Sequence, residues 1–176
     1  ESESRGLGDV YKRQLKDPAK VEILDGVGDA LVRMHAAGYL IFMHTNQSGI
    51  ERGYYDWDDV NACNLKMLAL LGLAEDFFVD TCIAPEWPEK ENGYRKPSSR
   101  YERETIAKYE LTPMDCWMVG DKWIDVQTGL SAGMKAALVK TGKPIDDEIG
   151  SKAIESKVPV HLDLLEFVER TLKLVV

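Results

Sequence analysis

Three short polar stretches hold the residues able to do chemistry. Tyr39 to Gly53 (YLIFMHTNQSGIERG) passes from the apolar Leu40, Ile41, Phe42 and Met43 through His44 to Thr45, Asn46, Gln47, Ser48 and Gly49. Two hydroxyls, two amides and a glycine that admits close backbone approach suit phosphate oxygens at the carboxyl end of a strand. Tyr94 to Pro97 (YRKP) sets two cations, Arg95 and Lys96, beside a proline that fixes their neighbourhood. Val119 to Asp125 (VGDKWID) spaces Asp121 and Asp125 four apart across a strand end and a helix start, so one can face a site while the other braces it. Each stretch has a plain alternative: a solvated loop, an exposed lysine, a turn with a helix cap. Together and in this order, they read as an anion-handling site at strand ends.

The elements that must position them follow from hydrophobic pattern. Leu40 to Met43 is a continuous apolar run, the signature of a parallel strand covered on both faces. Upstream, an extended approach carries Val21 and Ile23, and Asp25 is placed to cap a helix bearing Val27, Ala30, Leu31 and Met34, stopped at Gly38. Asp56 is expected to cap a second helix with Val60, Cys63, Leu65, Leu68 and Leu71 inward, closed by Gly72. The acidic run Asp56 to Asp59 (DWDD) is therefore read as capping. Phe77 to Ile83 reads as a strand, Ala84 to Gly93 as a loop, Ser98 to Tyr109 as a helix, Cys116 to Val119 as a strand, Val126 to Ala132 as a helix ending at Gly133, and Ala136 to Val139 as a strand. From Val158 on, a brief strand and a terminal helix over HLDLLEFVERTLKL are expected. Strands alternating with helices argue an α/β three-layer sandwich around a parallel, Rossmann-like sheet, with ligands beyond the strands' carboxyl ends.

Composition narrows the function. The 176 residues, 44% hydrophobic and 30% charged, suffice for one domain with a core. The net charge of -8 argues against nucleic acid or an anionic membrane surface as partner, and no apolar run is long enough to span a bilayer. Small solutes are the expected partners; the sequence leaves the oligomeric state open. Cys63, Cys82 and Cys116 are odd in number and widely spaced, which points to a reducing compartment, the cytoplasm. His35, His44 and His161 share no ligand spacing.

HTNQSGIERG, YRKP and VGDKWIDVQTGLSAG, with TGKP at Thr141 to Pro144, resemble motifs of the haloacid dehalogenase superfamily of phosphatases. The match is to the capless branch containing histidinol-phosphate phosphatase and heptose bisphosphate phosphatase, and covers about Leu15 to Lys143. The resemblance implies a phosphate monoester of a small metabolite as substrate, hydrolysed with Mg2+ through an aspartyl phosphate. It makes Asp121 a magnesium ligand, with Asp125 orienting that first set of ligands. Lys96 becomes the cation that steadies the phosphoryl group and nearby carboxylates, and Arg95 a substrate contact. Thr45 donates its hydroxyl to the phosphoryl group, Asn46, Gln47 and Ser48 help to hold substrate, and Arg52 is either a further contact or a surface residue. Thr45, Lys96 and Asp121 are then expected to converge.

The chain also departs from the family. Zinc-bearing relatives carry a CPHHP-like segment and a CxC before RKP, where this sequence has APEWP (Ala84 to Pro88) and Asn92-Gly93-Tyr94, so no zinc is expected. The loop should instead be ordered by its prolines and Trp87. KPSSR (Lys96 to Arg100) lacks the family's second proline. No DxDGT segment, the source of the attacking Asp and of the acid–base Asp, occurs anywhere. Residues 1–14 match nothing after them; Ser4 to Gln14 resembles a translated transposase-type sequencing adaptor, GAT GTG TAT AAG AGA CAG encoding Asp9 to Gln14. The expectation is a phosphatase domain over 15–176 whose first strand is missing or replaced, inactive as written. The alternative is a non-catalytic phosphate-binding or assembly domain.

Overall fold

The computed structural model describes residues 16–87, 90–142 and 144–175; the adaptor-like residues 1–14 lie outside these. In chain order the elements are helix α1 (Val27–Ala36), strand β1 (Phe42–Asn46), helix α2 (Trp57–Leu71), strand β2 (Asp80–Ala84), helix α3 (Arg100–Lys108) and strand β3 (Trp117–Gly120). Helix α4 (Trp123–Ser131), strand β4 (Lys135–Val139), helix α5 (Asp147–Glu155), strand β5 (Val160–His161) and helix α6 (Leu164–Arg170) complete them. Each strand pairing is parallel, so the fold is α/β with parallel sheets. The chain divides into two compact units, one of Leu40–Glu91 with the segment ending at Asp25, the other of Gly26–Tyr39 with Asn92–Val176.

In the first unit β1 and β2 pair in register from Phe42↔Asp80 to Asn46↔Ala84. The strand therefore starts two residues later than the apolar run and takes in Thr45 and Asn46. Leu40 is half exposed and all five β1 residues are only partly covered, which corrects the reading of a strand buried on both faces. A ladder is made by backbone groups, and Val79 N–H donating to Ile41 (2.8 Å) sets its start, whatever side chains follow. β2 likewise begins at Asp80 and not Phe77, whose N–H turns back to Ala74. α2 is capped by Asp56 as expected, and the cap is reciprocal: Asp56 Oδ1 accepts from Asp59 N–H (2.9 Å) and Asp59 Oδ2 from Asp56 N–H (3.0 Å). Val60, Cys63 and Leu68 are buried, but Leu65, roughly 140° round the helix from Val60 at 100° per residue, is 48% exposed. Ahead of β1 the expected extended approach instead holds a short 3-10 turn, Pro18–Lys20, capped by Asp17.

In the second unit the strand order is β3-β4-β5, with helices on both faces. Ala136 and Leu138 pack with Val126 of α4 and Ala153 of α5, whereas Ala137 between them packs with Ala30 of α1 and Phe167 and Val168 of α6. The period-2 alternation of β4 thus reproduces the expected three layers within this unit. α1 is not capped by Asp25: Gly26, at φ 78°, takes the N-cap position and no side chain caps it. α4 begins at Trp123, three residues before the expected start. α5, absent from the sequence reading, is capped by Asp146, whose Oδ1 accepts from Ile149 N–H (2.9 Å). No helix among the described residues is long and apolar enough to cross a membrane, and none of the three cysteines is in a disulfide.

Candidate active site

Parallel pairing ends β1 and β2 side by side, and Gln47 N–H closes the end by donating to Ala84 (2.7 Å). Beyond it, Ile50 N–H donates to Gln47, Arg52 N–H to Ser48 and Tyr54 N–H to Gly49, so NQSGIERG folds as consecutive tight turns. Gln47 is 8% exposed and its amide is engaged on both sides. Its Nε2 donates to Thr45 Oγ1 (3.0 Å) and its Oε1 accepts from the Tyr55 hydroxyl (2.7 Å). Burial pushes the Tyr55 phenol up, which keeps it a donor. Since Thr45 Oγ1 accepts from Gln47, its own O–H can donate elsewhere, which suits an anion. Asn46 and Ser48 are half-buried. Gly49 lies against the Tyr55 ring so closely that a Cβ would collide with it.

Trp87, just after β2, is ordered by two neighbours of that turn: its N–H donates to Glu51 Oε2 (3.1 Å), and the Arg52 guanidinium lies 4.5 Å from the ring centroid. Glu51 Oε1 also accepts from Lys90 Nζ (3.3 Å). Of the loop expected to be ordered by its prolines and Trp87, Pro88 and Glu89 lie outside the described residues. Arg52 thus has a packing role, and Glu51 and Tyr55 are contributors the sequence reading missed.

In the second unit β3 ends at Gly120, and Asp121 follows it half-buried. A Cβ on Gly142, which has φ 107°, would stand 2.5 Å from Asp121 Oδ2, so the backbone crosses hard against this carboxylate. Asp125 is in the first turn of α4, where the helix dipole favours a negative charge. Its Oδ2 accepts from Lys122 N–H (3.1 Å) and its Oδ1 from Lys96 Nζ (2.7 Å). The side chains of Lys96 and Asp125 are 12% and 6% exposed, so this is a desolvated, charge-assisted pair. Arg95 is half-buried, and its carbonyl accepts from Ser98 N–H (2.9 Å). The structure thus joins Lys96 to Asp125 across 29 residues and sets Asp121 at the end of β3, while Thr45, Asn46, Gln47 and Ser48 belong to the first unit. In the TGKP stretch Lys143 lies outside the described residues. No group of three or more His, Cys, Asp or Glu residues able to hold a metal occurs among the described residues.

The HAD-hydrolase-like family model matches residues 93–167. Over 168 residues the chain is 33% identical to D-glycero-beta-D-manno-heptose-1,7-bisphosphate 7-phosphatase of Haemophilus ducreyi, covering 90% of this chain and 89% of that protein. The chain belongs to the haloacid dehalogenase superfamily of phosphatases. The enzyme of the same name from Pseudomonas putida is 30% identical over 86% of this chain and 81% of its own. Among solved structures, the D,D-heptose 1,7-bisphosphate phosphatase of B. bronchiseptica, in complex with magnesium and phosphate, superposes with a TM-score of 0.75 at 28% identity, covering 90% of this chain and 88% of that one. That of Burkholderia thailandensis gives 0.61 at 30% identity over 88% and 89%. As a superfamily member the chain is of an enzyme type, hydrolysing phosphate monoesters.

Proposed function

We propose that the chain is the body of a magnesium-dependent phosphatase acting on a small phosphorylated metabolite: a sugar phosphate, a heptose bisphosphate or histidinol phosphate. The observation that carries this reading is the buried Lys96–Asp125 pair beside the end of β3, where Asp121 follows at once. A fixed cation held by a carboxylate that is itself held by a helix start is preorganised to stabilise charge developing on a phosphoryl group. Likeness to relatives whose names specify a heptose bisphosphate supports the sugar phosphate.

Each residue has a role. Thr45, oriented by Gln47, donates its hydroxyl to a phosphoryl oxygen, and Asn46 and Ser48 hold the substrate. Lys96 counters the phosphoryl charge, Asp125 fixes the Lys96 ammonium, and Arg95 takes the leaving half of the substrate. Asp121 offers a hard carboxylate oxygen backed by the closely crossing Gly142 segment, a donor that fits Mg2+. Bound there, a magnesium ion would supply charge neutralisation of the phosphoryl oxygens. The attacking carboxylate of the aspartyl-phosphate route belongs to a DxDGT segment, which these 176 residues do not contain. That gap is what favours the second reading, a domain that binds phosphate without turning it over. In either case we place the protein in the cytoplasm, with no nucleic-acid or membrane partner and no zinc.

A panel of sugar phosphates, histidinol phosphate and an aryl phosphate, assayed for phosphate release with Mg2+ and with chelator, tests the proposal. The chain as written should release almost nothing, and the chain carrying a DxDGT-bearing strand ahead of Leu15 should release phosphate only with Mg2+. Release that ignores the chelator would refute the magnesium role; none from the completed chain would favour the binding domain.

A further inference from the structure

Arg95 and Lys96 sit between two fixed points on the chain. Downstream, Ser99 precedes α3 and is buried, as are Tyr101 and Glu102 in its first turn. Upstream, a set of contacts ties the chain to the same helix. Arg100 Nη1 donates to the Asn92 carbonyl (2.7 Å), and its guanidinium lies 4.4 Å from the Tyr94 ring centroid. Arg100 Nε donates to Glu104 Oε1 (2.8 Å), and the Tyr94 hydroxyl donates to Glu104 Oε2 (2.9 Å). One carboxylate therefore uses both oxygens, one for the cation and one for the phenol that the cation covers. Asn92 is at φ 60°, a left-handed conformation that Asn tolerates better than most residues, and Arg100 holds its carbonyl.

We propose that Tyr94, Arg100 and Glu104 form a clasp that positions Arg95 and Lys96 for phosphate. The proposal rests on the reading of those two residues as phosphate contacts. Tyr94 is bonded directly to Arg95 in sequence, so fixing its ring and hydroxyl fixes the direction in which the next two side chains leave the backbone. With Arg100 holding Asn92 and α3 held by its buried first turn, the segment 92–100 is closed into a loop pinned at both ends. The Arg95–Ser98 turn forms inside it, and Lys96 reaches out of it to Asp125 of α4. Asn92 and Tyr94 occupy the two positions flanking Gly93 before RKP, so the clasp does with hydrogen bonds and a cation–π contact what would otherwise need a cross-link.

Two substitutions in the 176-residue chain grade the contacts: Tyr94→Phe keeps the ring under Arg100 and loses the hydroxyl, and Tyr94→Leu loses both. The readouts are exchange of the Ser98 amide, which donates to Arg95, and calorimetric affinity for inorganic phosphate. Ser98 exchange should quicken by roughly tenfold in Tyr94→Leu and about threefold in Tyr94→Phe, the scale of a lost exposed cation–π contact and hydrogen bond. Phosphate should bind about fivefold more weakly to Tyr94→Leu, with Tyr94→Phe between it and wild type. Unchanged Ser98 exchange in both variants would overturn the clasp. Faster exchange with unchanged phosphate affinity would overturn its positioning role. If wild type binds no phosphate while Ser98 exchange quickens in the variants, the clasp stands and the reading of Arg95 and Lys96 fails instead.

Discussion

The two strand ends that carry the polar stretches are built from different chemistry. At β1 the groups are neutral: Thr45, Gln47 and Tyr55 form a chain of hydrogen bonds in which each member orients the next. At β3 they are charged: Lys96 and Asp125 are nearly dry and 2.7 Å apart, and Asp121, four residues before Asp125, lies under the Gly142 crossing. Neutral donors can cradle an anion with little penalty when it leaves. A buried charge pair is costly to break and cannot reorganise freely, which is what a transition state of changing charge requires. On the proposed reading, the β1 end would hold phosphate through neutral donors and the β3 end would stabilise charge.

The largest effects should therefore fall at β3. Asp125→Ala removes the carboxylate that the Lys96 ammonium meets at 2.7 Å in a nearly dry place and should cost about 3–5 kcal/mol in denaturant unfolding, the usual result of removing one partner of a buried pair. Lys96→Met with Asp125→Ala together should cost clearly less than the sum of the single changes; additivity would show that the pair is not coupled. In a chain given a DxDGT-bearing strand ahead of Leu15, Lys96→Ala should lower turnover by on the order of 10², the scale of one lost transition-state contact. A near-normal rate would reduce Lys96 to a structural residue.

At β1 the effects should be smaller. Tyr55→Phe removes one neutral hydrogen bond to a buried amide and should cost about 1 kcal/mol in the same unfolding assay. Were it to match Asp125→Ala, the contrast between the two ends would be lost.

Capping and closure were legible in the sequence where a single residue decides them, as at Asp56, Gly38 and Gly72. The three polar stretches stood out by residue type, and the structure brings two of them into contact through Lys96 and Asp125. The start of β1 was not legible, because backbone pairing with Asp80–Ala84, and not apolar side chains, defines it. α5 was hidden by its acidic start (Asp146, Asp147, Glu148) and by Gly150, which read as loop until Asp146 is seen capping Ile149. The bond between Lys96 and Asp125 spans 29 residues, and that between Tyr55 and Gln47 joins side chains across a turn. Such partners follow from tertiary packing, on which no local pattern reports. The absence of a side-chain cap at Asp25 has the same origin: Gly26 could take the left-handed angle and moved the helix start past it.

The smallest effect concerns pH and the clasp. Hydrogen bonds from Arg100 and then from Tyr94 hold the Glu104 carboxyl below the usual carboxylate range. A carboxylate depressed on folding contributes stability that is complete above its unfolded value, about 4.3 for Glu, and lost as pH falls through the folded value. The difference in melting temperature between wild type and Glu104→Gln should therefore be small at neutral pH and shrink further on acidification. A difference that grows in acid would contradict the assignment.

The most direct test of the account is calorimetric titration of inorganic phosphate into the protein with and without Mg2+, for wild type and Asp121→Asn. The account predicts that Mg2+ tightens phosphate binding in wild type and that this linkage disappears in Asp121→Asn. Equal phosphate affinity in all four titrations would contradict it, because the charged end of β3 would then hold neither the metal nor the anion.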